Sequence, residues 1–266
     1  APSLLVTRTL HEQRAFAVHP GQSVAVGVRR LHVLPTPLSS FTACAPNAAL
    51  AETLAREPLL TELAARMKTR IVSRIEPHLG AAPAGGPGEA PFIGTTVIAS
   101  DTDAAHRSEW LLRAGAGEVL VLPAQTAQPQ RVLIHWLGEA VRSATLAVSA
   151  SVLRHVPAEA VYIGILAEES RSGRPHGMRA LLDARSEAQA VHGLEMRTEL
   201  RFGDVAQELG RRLAESPAQM LIVGVTDLTR FAERFRPLLD GGRWPVLIVH
   251  REAPWVREAP AREARA

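Results

Sequence analysis

The sequence contains few cysteines, lysines and aromatic residues, and each scarcity excludes a class of protein. Cys44 is the single cysteine, so neither an intrachain disulfide nor a cysteine-rich metal site can form, and a reducing compartment is expected. Aromatic residues make up 4% of the 266 residues, which leaves few side chains to stack on nucleic-acid bases. No apolar run is long enough to cross a bilayer, and the N-terminus lacks the layout of a signal peptide. We therefore expect a cytoplasmic protein without a membrane span of its own.

The high pI of about 9.9 is a weak argument for nucleic-acid binding. Lys68 is the single lysine among 30 basic residues, so little titrates between pH 7 and 10 and a net charge of +3 suffices to hold the pI high. Arginines and acidic residues are interleaved through most of the chain instead of forming one basic patch. We expect no nucleic-acid partner.

A segment rich in glycine, proline and alanine, residues 80–91, interrupts the first half of the chain and predicts a flexible loop. Asn47 can cap a helix over 47–76, which Pro58 is expected to break. The remaining elements predicted for this half are β-rich runs within 14–34, strands at 92–100 and 118–122, and a helix at 103–113. We predict a divergent α/β half covering residues 1–125.

From Arg131 onward, strands and helices alternate regularly. The predicted strands are 131–136, 160–167, 194–201, 220–225 and 246–250, and the predicted helices are 142–155, 179–191, 205–215 and 229–239. A charged loop, with Glu168, Glu169, Arg171 and Arg174, is expected to follow the second of these strands. Strands that alternate with helices of this length predict a doubly wound, five-stranded parallel sheet over 131–250. A charged tail, 251–266, completes the chain.

Three groups of residues in this second half resemble the universal stress protein family. They are Gly203-Asp204-Val205-Ala206 before a helix, the strand Met220-Leu221-Ile222-Val223-Gly224, and the closing strand Trp244-Pro245-Val246-Leu247-Ile248-Val249. The resemblance covers a little under half of the chain. It implies the fold of that family, which is of the adenine nucleotide alpha-hydrolase type.

The first half repeats part of this pattern. Ser100-Asp101, a helix and the strand Val119–Leu122 parallel Gly203-Asp204, a helix and the strand Leu221–Val223, at nearly equal spacing. An internal duplication, with a divergent first copy, would explain the correspondence. Convergence of ordinary strand-helix-strand units would explain it equally well.

Ligands of open α/β sheets bind beyond the carboxyl ends of the strands, at the point where the strand order reverses. The candidate residues there are His135, Trp136, Gly224, Thr226 and Asp227. The resemblance implies an ATP site with an aspartate after the first strand and a Gly-x2-Gly-x9-Gly-Ser/Thr loop after the fourth. This sequence has His135-Trp136 in the first place and Asp227 where the second glycine is expected, and the Gly-Ser pair is missing. We therefore expect no ATP cofactor.

Other candidate sites have simpler explanations. Ser100 and Asp101 end a strand where a small polar ligand could bind, although helix capping is the stronger explanation for them. His32 and His135 lie in apolar strands and are expected to be buried and neutral. No short catalytic motif of the hydrolase, zinc-peptidase or P-loop type occurs, and the ten histidines are scattered singly, so we predict no catalytic residue and no metal site.

These observations favour a non-enzymatic regulatory or stress-response domain that acts through protein contacts. The sequence does not begin with methionine, which fits a piece of a longer protein such as the cytoplasmic regulatory part of a membrane transporter. A homodimer through an edge strand at Val246–Val249 is expected, because pairing would cover exposed backbone groups. The alternative is a nucleotide-dependent switch that binds ATP, AMP or a cyclic nucleotide in an atypical cleft between the halves.

Overall fold

The computed structural model of the chain describes residues 40–75, 95–99, 117–123, 126–168, 173–240 and 242–251. Most of these residues belong to strands or helices that alternate along the sequence. The strands are β1 (Phe41–Ala45), β2 (Ile71–Ile75), β3 (Thr95–Ala99), β4 (Gly117–Leu122), β5 (Arg131–Leu137), β6 (Glu159–Leu166), β7 (Arg197–Phe202), β8 (Gln219–Val225) and β9 (Val246–His250).

The helices between the strands differ widely in length, from 5 to 20 residues. A 3-10 turn, Glu139–Val141, precedes one of them. They are α1 (Ala48–Ala55), α2 (Pro58–Met67), α3 (Arg142–Leu153), α4 (Gly173–His192), α5 (Val205–Ala214), α6 (Leu228–Arg234) and α7 (Arg236–Asp240).

The strands of the described residues form one sheet in the order β2-β1-β3-β4-β9-β8-β5-β6-β7. Its second half, β9-β8-β5-β6-β7, is parallel throughout and has five strands, as the sequence predicts. The first half, β2-β1-β3-β4, is also parallel within itself. The two halves meet where β4 and β9 run antiparallel, so the predicted domain boundary between residues 125 and 131 falls inside one sheet.

Two apolar layers cover the two faces of this sheet. One layer contains side chains from α1 to α4, such as Leu60, Leu146 and Leu181, and it extends from Phe41 in β1 to Ile222 in β8. The other layer contains Leu209 of α5 and the phenylalanines of the α6–α7 region. Because both faces are covered, β8 and β9 are buried along their full length, which explains their nearly continuous apolar sequences.

The helix predicted over 47–76 is wrong in its last part. Asn47 does cap the first helix, and a second helix starts at Pro58, but this second helix ends at Lys68, whose φ of 53° is left-handed. After this C-cap, the β-branched residues Ile71, Val72 and Ile75 form β2 beside β1. β-branched side chains fit a strand better than a helix, and an αL residue ends a helix.

The interpretation of Val246–Val249 as an edge strand is also wrong. β9 pairs with β8 on one side and with β4 on the other, through five residue pairs from Gly117↔His250 to Val121↔Val246. The backbone groups that were expected to bind a second copy are therefore already paired within the chain. Homodimerisation by this route is excluded while β4 occupies the position.

Several smaller differences concern the ends of elements. The helix predicted at 179–191 begins at Gly173, so Arg174 lies in α4 instead of in a charged loop. The third strand of the second half lies at Arg197–Phe202, three residues later than its predicted start. The β-rich runs in 14–34, the loop at 80–91, the helix at 103–113 and the tail from 252 lie outside the described residues.

Candidate functional site

The strand order reverses between β5 and β8, since β5 continues towards β6 and β7 whereas β8 continues towards β9. The register places Trp136 beside Gly224 and Leu137 beside Val225. The carboxyl ends of both strands therefore meet at one edge of the sheet, which is where ligands bind in open α/β folds. The structure thus places His135, Trp136, Gly224, Thr226 and Asp227 at this reversal of the strand order, which we call the switch point.

Trp136 fills one face of the switch point. Its ring stacks on Tyr162 of β6 with the ring centroids 4.0 Å apart and the planes 7° from parallel. The guanidinium of Arg142, at the start of α3, lies 5.8 Å from the centre of the tryptophan ring. Both aromatic side chains are buried, at 8% and 7% exposure, so this face holds a packed aromatic pair.

The surroundings of this pair favour a neutral Tyr162. Burial raises the pKa of the Tyr162 phenol well above its ordinary value, and the negative charge of Glu139 adds to the effect. Arg142 is held by ion pairs to Glu139 at 3.3 Å and to Glu187 of α4 at 2.6 Å. Arg142, which joins α3 to α4 through Glu187, thus lies over Trp136, and the other ring of the pair is an uncharged phenol.

Gly224 lies directly against the start of α3. A methyl group in place of its hydrogen would overlap Thr145 Oγ1 and would come within 3.0 Å of a Val141 methyl group. The Thr145 hydroxyl itself donates a hydrogen bond of 2.8 Å to the Val141 carbonyl. A phosphate-binding glycine needs open space in front of its backbone N–H. At Gly224 the side that a Cβ would occupy is covered by Thr145 and Val141, and the strand is paired with β5 on one side and with β9 on the other.

Thr226 and Asp227 complete the end of β8 and have structural partners. The Thr226 side chain packs near Gly138, whose φ of 103° is the turn that lets the chain leave β5. Asp227 caps α6, and its carboxylate accepts a hydrogen bond of 2.9 Å from the Arg230 backbone N–H. The carboxylate that would repel a phosphate is thus engaged at the helix start.

His135 points to the opposite face of the sheet from Trp136, because successive strand residues alternate. It is 5% exposed, and its Nδ1–H donates a hydrogen bond of 2.7 Å to the Ile163 carbonyl in the neutral form. Burial lowers the pKa of His135 to about 4, the Ile163 carbonyl partly opposes this, and the positive charge of Arg234 lowers it further. Nε2 has no hydrogen-bond partner. His135 is therefore a buried, neutral side chain at physiological pH.

The remaining candidates add no chemistry to this edge of the sheet. Cys44 is buried in β1, in the first half of the sheet. Ser100, Asp101 and His32 lie outside the described residues. Within the described part of the chain, no group of three or more His, Cys, Asp or Glu side chains is placed to hold a metal ion. No helix of that part is both long enough and apolar enough to cross a membrane.

Sequence reasoning missed the residues that close the switch point, namely Tyr162, Arg142 and Thr145. Tyr162 is the single tyrosine of the chain, and it lies in the strand that pairs with β5. Pairing these two adjacent strands in parallel would have placed it close to Trp136. Thr145 had no comparable signal, because its contact with Gly224 depends on how α3 lies over the sheet.

A separate cleft lies at the seam between the two halves, at the amino ends of β8 and β9. It has a volume of about 580 Å³, and its lining includes Pro123 after β4, Pro217 before β8, and Arg243 and Trp244 before β9. Trp244 is fixed by a hydrogen bond of 3.3 Å from Nε1 to the Ser216 carbonyl. The cleft therefore offers one oriented aromatic ring and one exposed cation.

Comparison with known proteins identifies the fold. No protein-family model and no curated protein matches the sequence. Among solved structures, a universal stress protein from Archaeoglobus fulgidus DSM 4304 has a TM-score of 0.50 and 12% identity, covering 82% of this chain and 98% of that one. A protein of Pseudomonas aeruginosa UCBPP-PA14, described under the same name, has a TM-score of 0.49 and 13% identity, with coverages of 80% and 93%. The chain therefore has the α/β fold of the universal stress proteins.

Proposed function

We propose that the chain is a non-enzymatic regulatory domain of the stress-response type, which acts through contacts with other proteins. The observation that supports this most directly is the filled switch point. The Trp136–Tyr162 stack occupies one face there, and the start of α3 lies against Gly224. A nucleotide or a substrate would have to displace packed side chains to reach the backbone at this edge.

Exposed apolar side chains supply surfaces for such contacts. Met178 and Leu182 are one helical turn apart on α4 and are 42% and 53% exposed, and Val72 and Ile75 are exposed on β2. Adjacent exposed apolar side chains, as on α4, occur at sites where another protein binds.

The finer form of the proposal is a cytoplasmic regulatory part of a membrane transporter. Cys44 is buried and is the single cysteine, so it forms no intrachain disulfide, which fits a reducing compartment. The complete gene tests this form of the proposal, since membrane spans in the same reading frame would support it. A complete reading frame that encodes only the present residues would oppose it.

Isothermal titration calorimetry with ATP, AMP and cyclic AMP tests the non-enzymatic proposal. We expect no heat of binding at millimolar nucleotide for the intact chain. Trp136→Ala removes the stacked ring from the switch point and serves as the matched variant. Nucleotide binding that appears only in this variant would show that the Trp136 ring prevents binding in the unchanged chain. Binding by the unchanged chain that Trp136→Ala weakens would overturn the proposal.

A second candidate function, nucleotide-dependent switching, is favoured by the seam cleft alone. Its volume lies within the usual range for small-ligand sites, and Trp244 and Arg243 could stack on a base and bind a phosphate. Trp244→Ala distinguishes this candidate in the same titrations. Nucleotide binding that is lost with Trp244→Ala and kept with Trp136→Ala would establish the cleft as the site.

A further inference from the structure

The two edges of the sheet differ in how their charges are balanced. At one edge, each charged residue of β7 has a partner: Arg197 with Glu159 at 2.8 Å, Arg201 with Glu215 at 3.1 Å, and Glu199 with Arg212 at 3.0 Å. Charged side chains with internal partners protect an edge strand from pairing with another chain. The β7 edge is therefore neutral and protected.

The opposite edge, β2, differs in its exposure and in the charges that precede it in the sequence. Residues Val72 to Ile75 are all exposed, with Val72 at 44% and Ile75 at 52%. The stretch 66–75 has no acidic residue; its Arg66 pairs with Glu62 of α2, whereas Lys68 and Arg70 are exposed just before the strand. Along this edge, an exposed apolar strand thus lies within a positively charged segment.

The hydrogen-bonding groups of β2 alternate between the sheet and the open side. The Phe41 backbone N–H donates to the Arg70 carbonyl at 3.0 Å, so the backbone groups of residue 70 face β1. Alternation along the strand then directs those of residues 72 and 74 to β1 and those of Ile71, Ser73 and Ile75 to the open side. Three consecutive outward-facing positions are sufficient for one more strand to pair.

We propose that the β2 edge binds an extended, acidic segment of a partner protein, which adds to the sheet as a further strand. Backbone hydrogen bonds to Ile71, Ser73 and Ile75 would hold the segment, and its carboxylates would lie near Lys68 and Arg70. A second copy of this chain fits less well, since two β2 strands would bring two positively charged segments together. This inference rests on the proposed regulatory function and names the surface and the partner chemistry for it.

Two synthetic peptides of twelve residues provide the probes, with valine and glutamate alternating in one and valine and lysine alternating in the other. Titration of the ¹⁵N-labelled intact chain should shift the amide signals of Ile71, Ser73 and Ile75 with the glutamate peptide. We expect at least tenfold weaker binding of the lysine peptide and a marked loss of affinity between 50 and 300 mM salt. Equal binding of both peptides, or binding of neither, would overturn the proposal.

Ser73→Pro tests the hydrogen-bonding geometry, because it removes one outward N–H and leaves the bonds to β1 in place. The matched control is Thr198→Pro on β7. The Gly203 N–H donates to the Leu166 carbonyl, so the alternation makes the Thr198 N–H face outward as well. We expect Ser73→Pro to abolish glutamate-peptide binding and Thr198→Pro to leave it unchanged. Binding that persists in Ser73→Pro contradicts the proposal.

Arg70→Glu provides an independent test if the proline variants fold poorly. We expect it to weaken glutamate-peptide binding at least tenfold and to strengthen lysine-peptide binding. If the variant keeps the same preference for the glutamate peptide, the proposal that the β2 edge binds an acidic segment is wrong. A concentration-dependent dimer that is lost in Ser73→Pro, without peptide binding, would assign β2 to a second copy instead. None of these outcomes depends on nucleotides, so a failed peptide test leaves the proposed function to be judged by calorimetry alone.

Discussion

Gly224 is a residue at which helix α3 lies close against the sheet. We predict that Gly224→Ala lowers the free energy of unfolding by about 2 to 3 kcal/mol, since the new methyl group overlaps Thr145 and the helix must shift. Chemical denaturation measures the change. Gly117→Ala is the control, because a methyl group there meets nothing within 4 Å, and its cost should stay below about 0.5 kcal/mol.

The double variant Gly224→Ala with Thr145→Ala shows how much of the loss in Gly224→Ala comes from overlap of the new methyl group with the Thr145 side chain. Loss of the threonine hydroxyl makes room for the new methyl group, so the double variant should be more stable than the sum of the two single changes implies. Strict additivity would show that the contact seen between these residues does not close the switch point.

His135 gives the stability a dependence on pH. The pKa of His135 is about 4 in the folded chain, whereas an unperturbed histidine, as in the unfolded chain, has a pKa of 6.5. Between pH 4 and 6.5 the unfolded chain therefore binds a proton that the folded chain does not. The free energy of unfolding therefore has its full value above pH 6.5 as far as His135 is concerned, and it falls by about 3 kcal/mol in total as the pH is lowered towards 4. Denaturation of the unchanged chain and of His135→Gln at several pH values measures the difference. Parallel pH profiles for the two proteins would contradict this prediction.

At the scale of secondary structure elements, Arg212 joins helix α5 to the edge strand β7. Its guanidinium donates two hydrogen bonds of 3.0 Å to the Glu199 carboxylate, and it is 5% exposed. Partial burial alone would raise the pKa of Glu199, but the hydrogen bonds and charge of Arg212 outweigh it and hold that pKa below its usual value. The pair therefore remains ionised and attaches the helix to the strand.

Replacing one partner of this pair should cost far more than replacing both. We predict a loss of about 2 to 4 kcal/mol for Arg212→Met, because Glu199 keeps its charge, loses both hydrogen bonds from Arg212 and retains only Arg201 at 3.5 Å. The double variant Arg212→Met with Glu199→Met should recover most of that loss. Thermal and chemical denaturation would show it, and a double variant that is no more stable than Arg212→Met would refute the explanation.

The spacing of apolar residues predicted the strands and helices of the second half well, because each buried strand is a continuous apolar run and each helix has an apolar face with helical spacing. The same reasoning failed at β2, where five residues after a left-handed C-cap were assigned to the preceding helix. At the candidate site, Trp136 and Gly224 followed from the strand order alone. Tyr162 and Thr145 did not, because their positions depend on side-chain packing between elements that are separate in the sequence.

For the whole molecule, the antiparallel pairing of β4 with β9 could not be predicted. The apolar sequence Val246–Val249 shows that the strand is buried on both faces, but it does not show whether one or two strands lie beside it. The partner strand lies more than 120 residues earlier in the chain. Local sequence carries no information about pairing over that distance.

This pairing predicts how the second half behaves alone. Residues 126–266 without the first half would leave the β9 backbone unpaired beside a row of apolar side chains, so we expect the fragment to self-associate at micromolar concentration. Analytical ultracentrifugation compares it with the intact chain, in which this strand is already covered. A folded fragment that stays monomeric over the same concentrations would contradict the expectation.

The covalent link between β4 and β9 also removes a constraint that symmetric dimers obey. In a dimer of identical chains, the pairing weakens on dilution, and every substitution appears on both sides of the interface. Here the partner strand is supplied at a fixed effective concentration, and each side can change by itself. The two halves are thus free to specialise, one keeping five parallel strands while the other presents its outermost strand, β2, to the surroundings.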